Sequence, residues 1–160
     1  MQNLNKGCQC PTKLAASISA GILQSTLANA IYSYPIKTKN IPHDKRTKGY
    51  QIETIVIEHL QKEGFQLFQR NFACRSGEID LIGLHQDQLL FIEVRFRKNA
   101  YFGCAASTVN FHKQQKLIKT ANFFLKIHPN LYQHSCQFDV VAATLKGHQL
   151  IIEWIQNAFH

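Results

Sequence analysis

Two acidic residues sit where a β-strand tolerates them least. Asp80 interrupts the apolar run Gly77–Glu78–Ile79–Asp80–Leu81–Ile82, and Glu93 interrupts Leu89–Leu90–Phe91–Ile92–Glu93–Val94–Arg95–Phe96. Strands disfavour carboxylates, and burying an unpaired one is expensive, so a fold that accepts both runs as strands must supply something that compensates. Between the runs lies the polar turn His85–Gln86–Asp87–Gln88, which makes them a hairpin. A hairpin turning symmetrically about Gln86 and Asp87 sets Asp80 opposite Glu93 on one side of the sheet, with β-carbons roughly 4.5–5.5 Å apart. Like charges at that spacing repel unless a hard cation lies between them, and Mg²⁺ favours sites of one or two carboxylates completed by water. The turn carries neither Asn-Gly nor Asp-Gly, so register is the weak joint of this reading. A slip of one residue sends the two carboxylates to opposite faces.

Around this hairpin the chain alternates helix and strand. Ile52, Ile55, Val56 and Leu60 recur at helical spacing and Gly64 closes that helix. Phe65 to Arg70 reads as a short strand, and a basic helix spans about His112 to Ile127, ended by Pro129. Phe138–Asp139–Val140–Val141–Ala142–Ala143 and Leu150–Ile151–Ile152–Glu153–Trp154 read as two more strands. The expected class is α/β, a mixed sheet flanked by helices. Residues 45–160 form one domain on this reading. Residues 1–44 are an extension: acid-free until Asp44, punctuated by Pro11, Pro35 and Pro42, with one apolar stretch from Leu14 to Tyr32. Its serines, Gln24 and Asn29 make that stretch too polar for a membrane span. It reads as a short amphipathic helix on a loosely attached arm.

Charge and cysteine usage narrow the environment. The 18 Lys+Arg against 10 Asp+Glu suit a polyanionic partner, since each neutralised phosphate releases counterions. Cys8, Cys10, Cys74, Cys104 and Cys136 are odd in number and irregular in spacing, which argues against a disulfide framework and for a cytoplasmic protein with reduced thiols. The histidines show no zinc-ligand spacing.

Other side chains are placed to join the two acids. Arg95 shares the face of Glu93 by strand alternation, while Val94 points into the core on the other side. Gln114 begins the apolar stripe of the basic helix, and Glu53 shares a helix face with Ile57 and Leu60. Each also has an ordinary structural reading. Glu53 suits a helix N-terminus, Asp80 suits a carboxylate bonded to backbone amides, and Glu93 with Arg95 suits a surface ion pair of little energy. Asp139 is expected to be structural or a supporting partner. The joint pattern is what points to chemistry.

That pattern resembles a known family. Gly77–Ile82, Phe91–Ile92–Glu93–Val94–Arg95, Tyr101–Phe102–Gly103, Lys113–Gln114 and Phe138–Asp139–Val140–Val141 resemble the YraN-like family of predicted endonucleases, and Trp154–Ile155 with Ala158–Phe159 are similar to its closing motif. The likeness runs from about Lys48 to the C-terminus. It implies a restriction-endonuclease-like (tRNA-endonuclease-like) fold of the PD-(D/E)XK type, shared with Holliday-junction resolvases. Carried over residue by residue, Asp80 and Glu93 become metal-binding acids with the Val94 carbonyl a further ligand. Glu53 becomes the first-helix acid and Gln114 the helix polar residue. Arg95 stands where the motif has lysine. Arginine stays charged at any working pH, so it suits a phosphate clamp and not a general base.

The function implied is phosphodiester hydrolysis of nucleic acid, DNA first, branched or single-stranded, with Mg²⁺ or Mn²⁺. Arg70, Arg75, Arg97, Lys98, Lys113, Lys116 and Lys119 would hold the backbone without reading sequence, and Tyr101 and Phe102 would stack on a base or wedge a junction, with core packing the ordinary reading of Phe102. A homodimer is a further expectation, because related resolvases dimerise and Trp154 with Phe159 offer an apolar interface. The rival readings are a binding module of the same fold without chemistry and a purely structural assembly protein. Salt-sensitive binding of nucleic acid separates those two.

Overall fold

Asp44 opens the first helix by accepting the Thr47 N–H on its carboxylate at 3.0 Å, and Gly64 closes it in the left-handed region at φ +92°. Helix α1 spans Lys45–Lys62. The structure, a computed structural model, describes residues 31–35, 44–97 and 109–160. In these, β1 (Ile31–Pro35) precedes α1, followed by β2 (Gln66–Cys74), β3 (Gly77–His85), β4 (Gln88–Arg97), α2 (Phe111–Ile127), a single 3-10 turn at Pro129–Leu131, β5 (Ser135–Lys146) and β6 (Gln149–Phe159).

The six strands form one mixed sheet in the order β1-β6-β5-β4-β3-β2. Only β4 and β5 run parallel, joined by the crossover that carries α2, as a parallel pair requires. The chain is therefore α/β, a mixed sheet with a helix on each face. Alternation along β4 sorts the core into two layers. Leu89 and Phe91 meet Leu117, Ala121 and Phe124 of α2, while Leu90 and Ile92 meet Ile52, Val56 and Leu60 of α1. No described helix is long and apolar enough to cross a membrane.

Three expectations are revised. Strand β2 runs four residues beyond Arg70, because Asn71 takes φ +51° and lets the chain continue to pair through Cys74. Residues 31–35, assigned by sequence to the arm, form an edge strand along β6, pairing Tyr32 with Ile152 and Tyr34 with Leu150. Tyr34 donates or accepts a 2.7 Å hydrogen bond with the Nδ1 of buried His59, which fastens this edge to α1. Finally, Trp154 and Phe159 do not form a surface. Trp154 donates Nε1–H to Asp139 at 2.8 Å, and Phe159 stacks on Phe138. Both are buried inside the chain. The remainder of the arm, and Lys98, Tyr101, Phe102 and Gly103, lie outside the described residues.

Candidate active site

The hairpin turn settles the register. Gln86 and Asp87 both take positive φ, +49° and +64°, the backbone of a two-residue type I′ turn without its usual glycine. His134 sits against it, with Nδ1 3.1 Å from the Asp87 carbonyl oxygen. From that turn the ladder pairs His85 with Gln88, Leu84 with Leu89, and so on to Leu81 with Ile92. The ladder ends there, one step short of Asp80 and Glu93. There Asp80 itself takes over the pairing, its carboxylate accepting the Val94 N–H at 2.7 Å.

Glu93 follows Phe91 on the α2 face and is only 4% exposed. Two cations reach it. Arg95 Nη2 lies 3.4 Å from Oε1 and Lys113 Nζ 3.0 Å from Oε2. Neither gives Oε2 a hydrogen bond, and Arg95 Nε is likewise buried without one among the described residues. Lys113 is thus close enough for charge but not aligned for donation. Burial and then the neighbouring Glu93 charge push the Asp80 carboxyl up to about 7, against the Val94 N–H and Lys113, which pull it down. The Glu93 charge reaches Asp80, and near neutral pH Asp80 resists ionising beside it.

That shift carries a pH signature. The native state holds the Asp80 proton more tightly than the unfolded chain, so the stability it confers is complete below 3.8 and is lost as pH rises through about 7. In melts without divalent cation, Asp80→Asn should gain on the wild type by about 5 °C or more as pH is raised from about 4 to 8. A difference that stays flat with pH would show that the carboxyl is unperturbed.

The other expected site residues divide. Glu53 is near enough for its charge to raise Asp80 slightly, but it is neutralised by Arg70, whose Nε and Nη2 donate to Oε2 at 3.1 and 3.0 Å. Arg70, expected on the phosphate backbone, is engaged within the chain. Its Nη2 also donates to the Tyr50 carbonyl at 2.7 Å and Nη1 to Thr54 at 3.2 Å, so it ties β2 to α1. Its guanidinium also stacks 3.8 Å over the Tyr50 ring. Gln114 donates Nε2–H to the Val109 carbonyl at 2.8 Å and so anchors the entry to α2. Arg75, Lys116 and Lys119 are exposed as expected, and Arg97 ends β4 half-buried. Lys113 is not with them. Asn110 caps α2 by accepting its N–H at 2.9 Å, and the side chain reaches inward to Glu93. The missed signal was its spacing: Lys113 heads the same stripe as Leu117, Thr120 and Phe124, all buried.

Asp139 is structural. It lies on the α1 face, accepting from Gln137 Nε2, Trp154 Nε1 and the Asn157 N–H at 2.7–2.8 Å.

Residues 52–143 match the uncharacterised protein family UPF0102, which is more than half of the chain. The chain belongs to UPF0102. The matched segment holds Glu53, Asp80, Glu93, Arg95, Lys113 and Asp139. Among its relatives, a UPF0102 protein of Stutzerimonas stutzeri is 43% identical over 116 residues, covering 72% of this chain and 97% of that protein. One of Alcanivorax borkumensis is 42% identical over 117 residues, covering 72% and 94%. One of Caldanaerobacter subterraneus is 37% identical over 119 residues, covering 72% and 97%. The shared part of UPF0102 is therefore the α/β domain, nearly whole in each relative.

Proposed function

We propose that this UPF0102 protein is a metal-dependent endonuclease that hydrolyses phosphodiester bonds of nucleic acid, DNA first, on a restriction-endonuclease-like fold. The observation that carries the reading is the pair of acids: half-buried Asp80, pushed up to about 7 by desolvation and by Glu93, and buried Glu93, whose Oε2 is left without a hydrogen bond among the described residues. A buried carboxylate pair is costly unless something positive completes it.

The donors fit a hard divalent cation. Among the described residues there is no cluster of three or more His, Cys, Asp or Glu, which does not suit zinc. Two carboxylates, with the Val94 carbonyl as a third oxygen, suit Mg²⁺ or Mn²⁺, which takes few protein ligands and fills its shell from water and phosphate. The chemistry such a cation supplies is polarisation of the scissile phosphate and a lowered pKa for water. The rest falls to the chain. Asp80 is oriented by the Val94 N–H. Arg95, always charged, clamps phosphoryl oxygens with the donors that Glu93 leaves free. Arg75, Lys116 and Lys119 hold the backbone at the surface.

The second reading is a nucleic-acid-binding module without chemistry. It is favoured by one observation, that Arg95 and Lys113 already neutralise Glu93. A cleavage assay with Mn²⁺ on linear, single-stranded and branched DNA and RNA separates the two. The nuclease reading expects cation-dependent products from wild type and a rate on the order of tenfold higher from Arg95→Lys, which restores the motif's amine. Binding that falls with salt but yields no product from either protein would establish the module instead.

A further inference from the structure

Three lysines of α2 were expected to do one job, yet they divide in space. Lys116 and Lys119 are exposed, while Lys113 sets its ammonium 3.0 Å from the Oε2 of a carboxylate that is 5% exposed. Holding a long side chain against a buried acid costs conformational entropy. The pair of acids explains why it is held there. With Asp80 and Glu93 ionised, Arg95 and Lys113 bring the centre to neutrality with no metal present. A divalent cation added to that neutral cluster leaves two charges in excess, and an incoming phosphodiester offsets one of them.

The two cations differ in what they can do about this. Arg95 projects from a central strand of the sheet, and its Nε is enclosed without a hydrogen bond among the described residues. Lys113 hangs on a flexible four-carbon stem at the end of a helix, and its ammonium has no directed bond to Glu93. It is the one free to move.

We propose that Lys113 is a tethered stand-in for the metal ion: it occupies Glu93 Oε2 in the metal-free chain, yields that oxygen when a divalent cation arrives, and then donates to a non-bridging oxygen of the substrate phosphate. Metal and nucleic acid thus bind cooperatively through one side chain, because the ion releases the donor that the phosphate takes. The inference rests on the two-carboxylate reading of the site. It makes Lys113 a positioning residue for cation binding and a direct contact of the phosphate.

The test is the Mn²⁺ affinity of the full chain without nucleic acid, read from the free-ion EPR signal under argon at about pH 8.5, where protons compete little for the acids. Lys113→Met should bind Mn²⁺ about tenfold more tightly than wild type, since the competing charge is gone, and Lys113→Arg should return to the wild-type value. A second arm measures affinity for a single-stranded oligodeoxynucleotide with and without Ca²⁺. Ca²⁺ should tighten binding several-fold more in wild type than in Lys113→Met. Equal Mn²⁺ affinities, a weaker Lys113→Met, or equal Ca²⁺ effects overturn the exchange while leaving the metal site standing. If neither wild type nor Lys113→Met binds Mn²⁺ in the millimolar range, the metal site itself is absent and the exchange falls with it.

Discussion

Asp80→Asn should lower cation-dependent cleavage by about a thousandfold or more, because the positioned cation is asked for several kcal/mol of transition-state stabilisation. The choice of asparagine matters. Its amide oxygen can still accept the Val94 N–H that Asp80 accepts at 2.7 Å, so strand β4 keeps its support. What goes is the ionisable group that burial, and then the Glu93 charge, push up to about 7. The variant should therefore be as stable as wild type near neutral pH, or more so. Affinity for nucleic acid should be unchanged or tighter, since a negative charge has left the surface that meets phosphate. Single-turnover cleavage with Mn²⁺, measured beside a binding isotherm at fixed salt, reads both. Cleavage at the wild-type rate would remove Asp80 from the centre. Loss of cleavage together with loss of folding would point to a structural carboxylate.

The largest expected loss of stability belongs to Asp139, on the opposite face of the sheet. It is fully buried and accepts three hydrogen bonds, from Gln137 and Asn157 on Oδ1 and from Trp154 on Oδ2. Burial raises its carboxyl, and the three donors counteract that rise. These bonds lock the end of β6 to β5 where their register shifts between Phe138 and Val140 and where Asn157 takes φ +51°. Asp139→Ala removes the acceptor and leaves the Trp154 and Asn157 N–H groups enclosed. That should cost about 3–5 kcal/mol, as for breaking a buried network by deleting one member. Asp139→Asn should cost less but still measurably, since its Nδ2 would oppose Trp154 Nε1–H. Urea unfolding midpoints give both numbers. A loss below about 1 kcal/mol for the alanine variant would mean that water replaces the carboxylate, which the burial does not allow.

Much of this was legible in the residues, and the parts that were not share a cause. The register from the turn as far as Leu81 and Ile92 could be read because strand pairing is local: two adjacent runs and a short turn fix it. The doubt about that turn disappears because Asp87 tolerates left-handed backbone and Gln86 is carried with it. Long-range partners were the unreadable part. A sequence shows that Arg70 is basic, but not that Glu53 lies 3.0 Å from it, 17 positions away in the chain. Trp154 and Phe159 look like a surface pair because nothing local reveals Asp139 and Phe138 beneath them. Strand β1 escaped for the same reason, since the strand it pairs with, β6, lies more than a hundred residues later. Gln114 is half-buried, and its bond to Val109, five residues before it, was not legible.

The proposed catalysis depends on Asp80 and Glu93 being joined by one divalent ion. Anomalous diffraction from a Mn²⁺-soaked crystal of the wild-type protein asks this most directly. The expected map has a manganese peak within bonding distance of both carboxylates, absent from the same experiment on Asp80→Asn. A well-ordered pair of acids with no manganese beside them, in a crystal that binds the ion elsewhere, would leave the fold without its proposed chemistry.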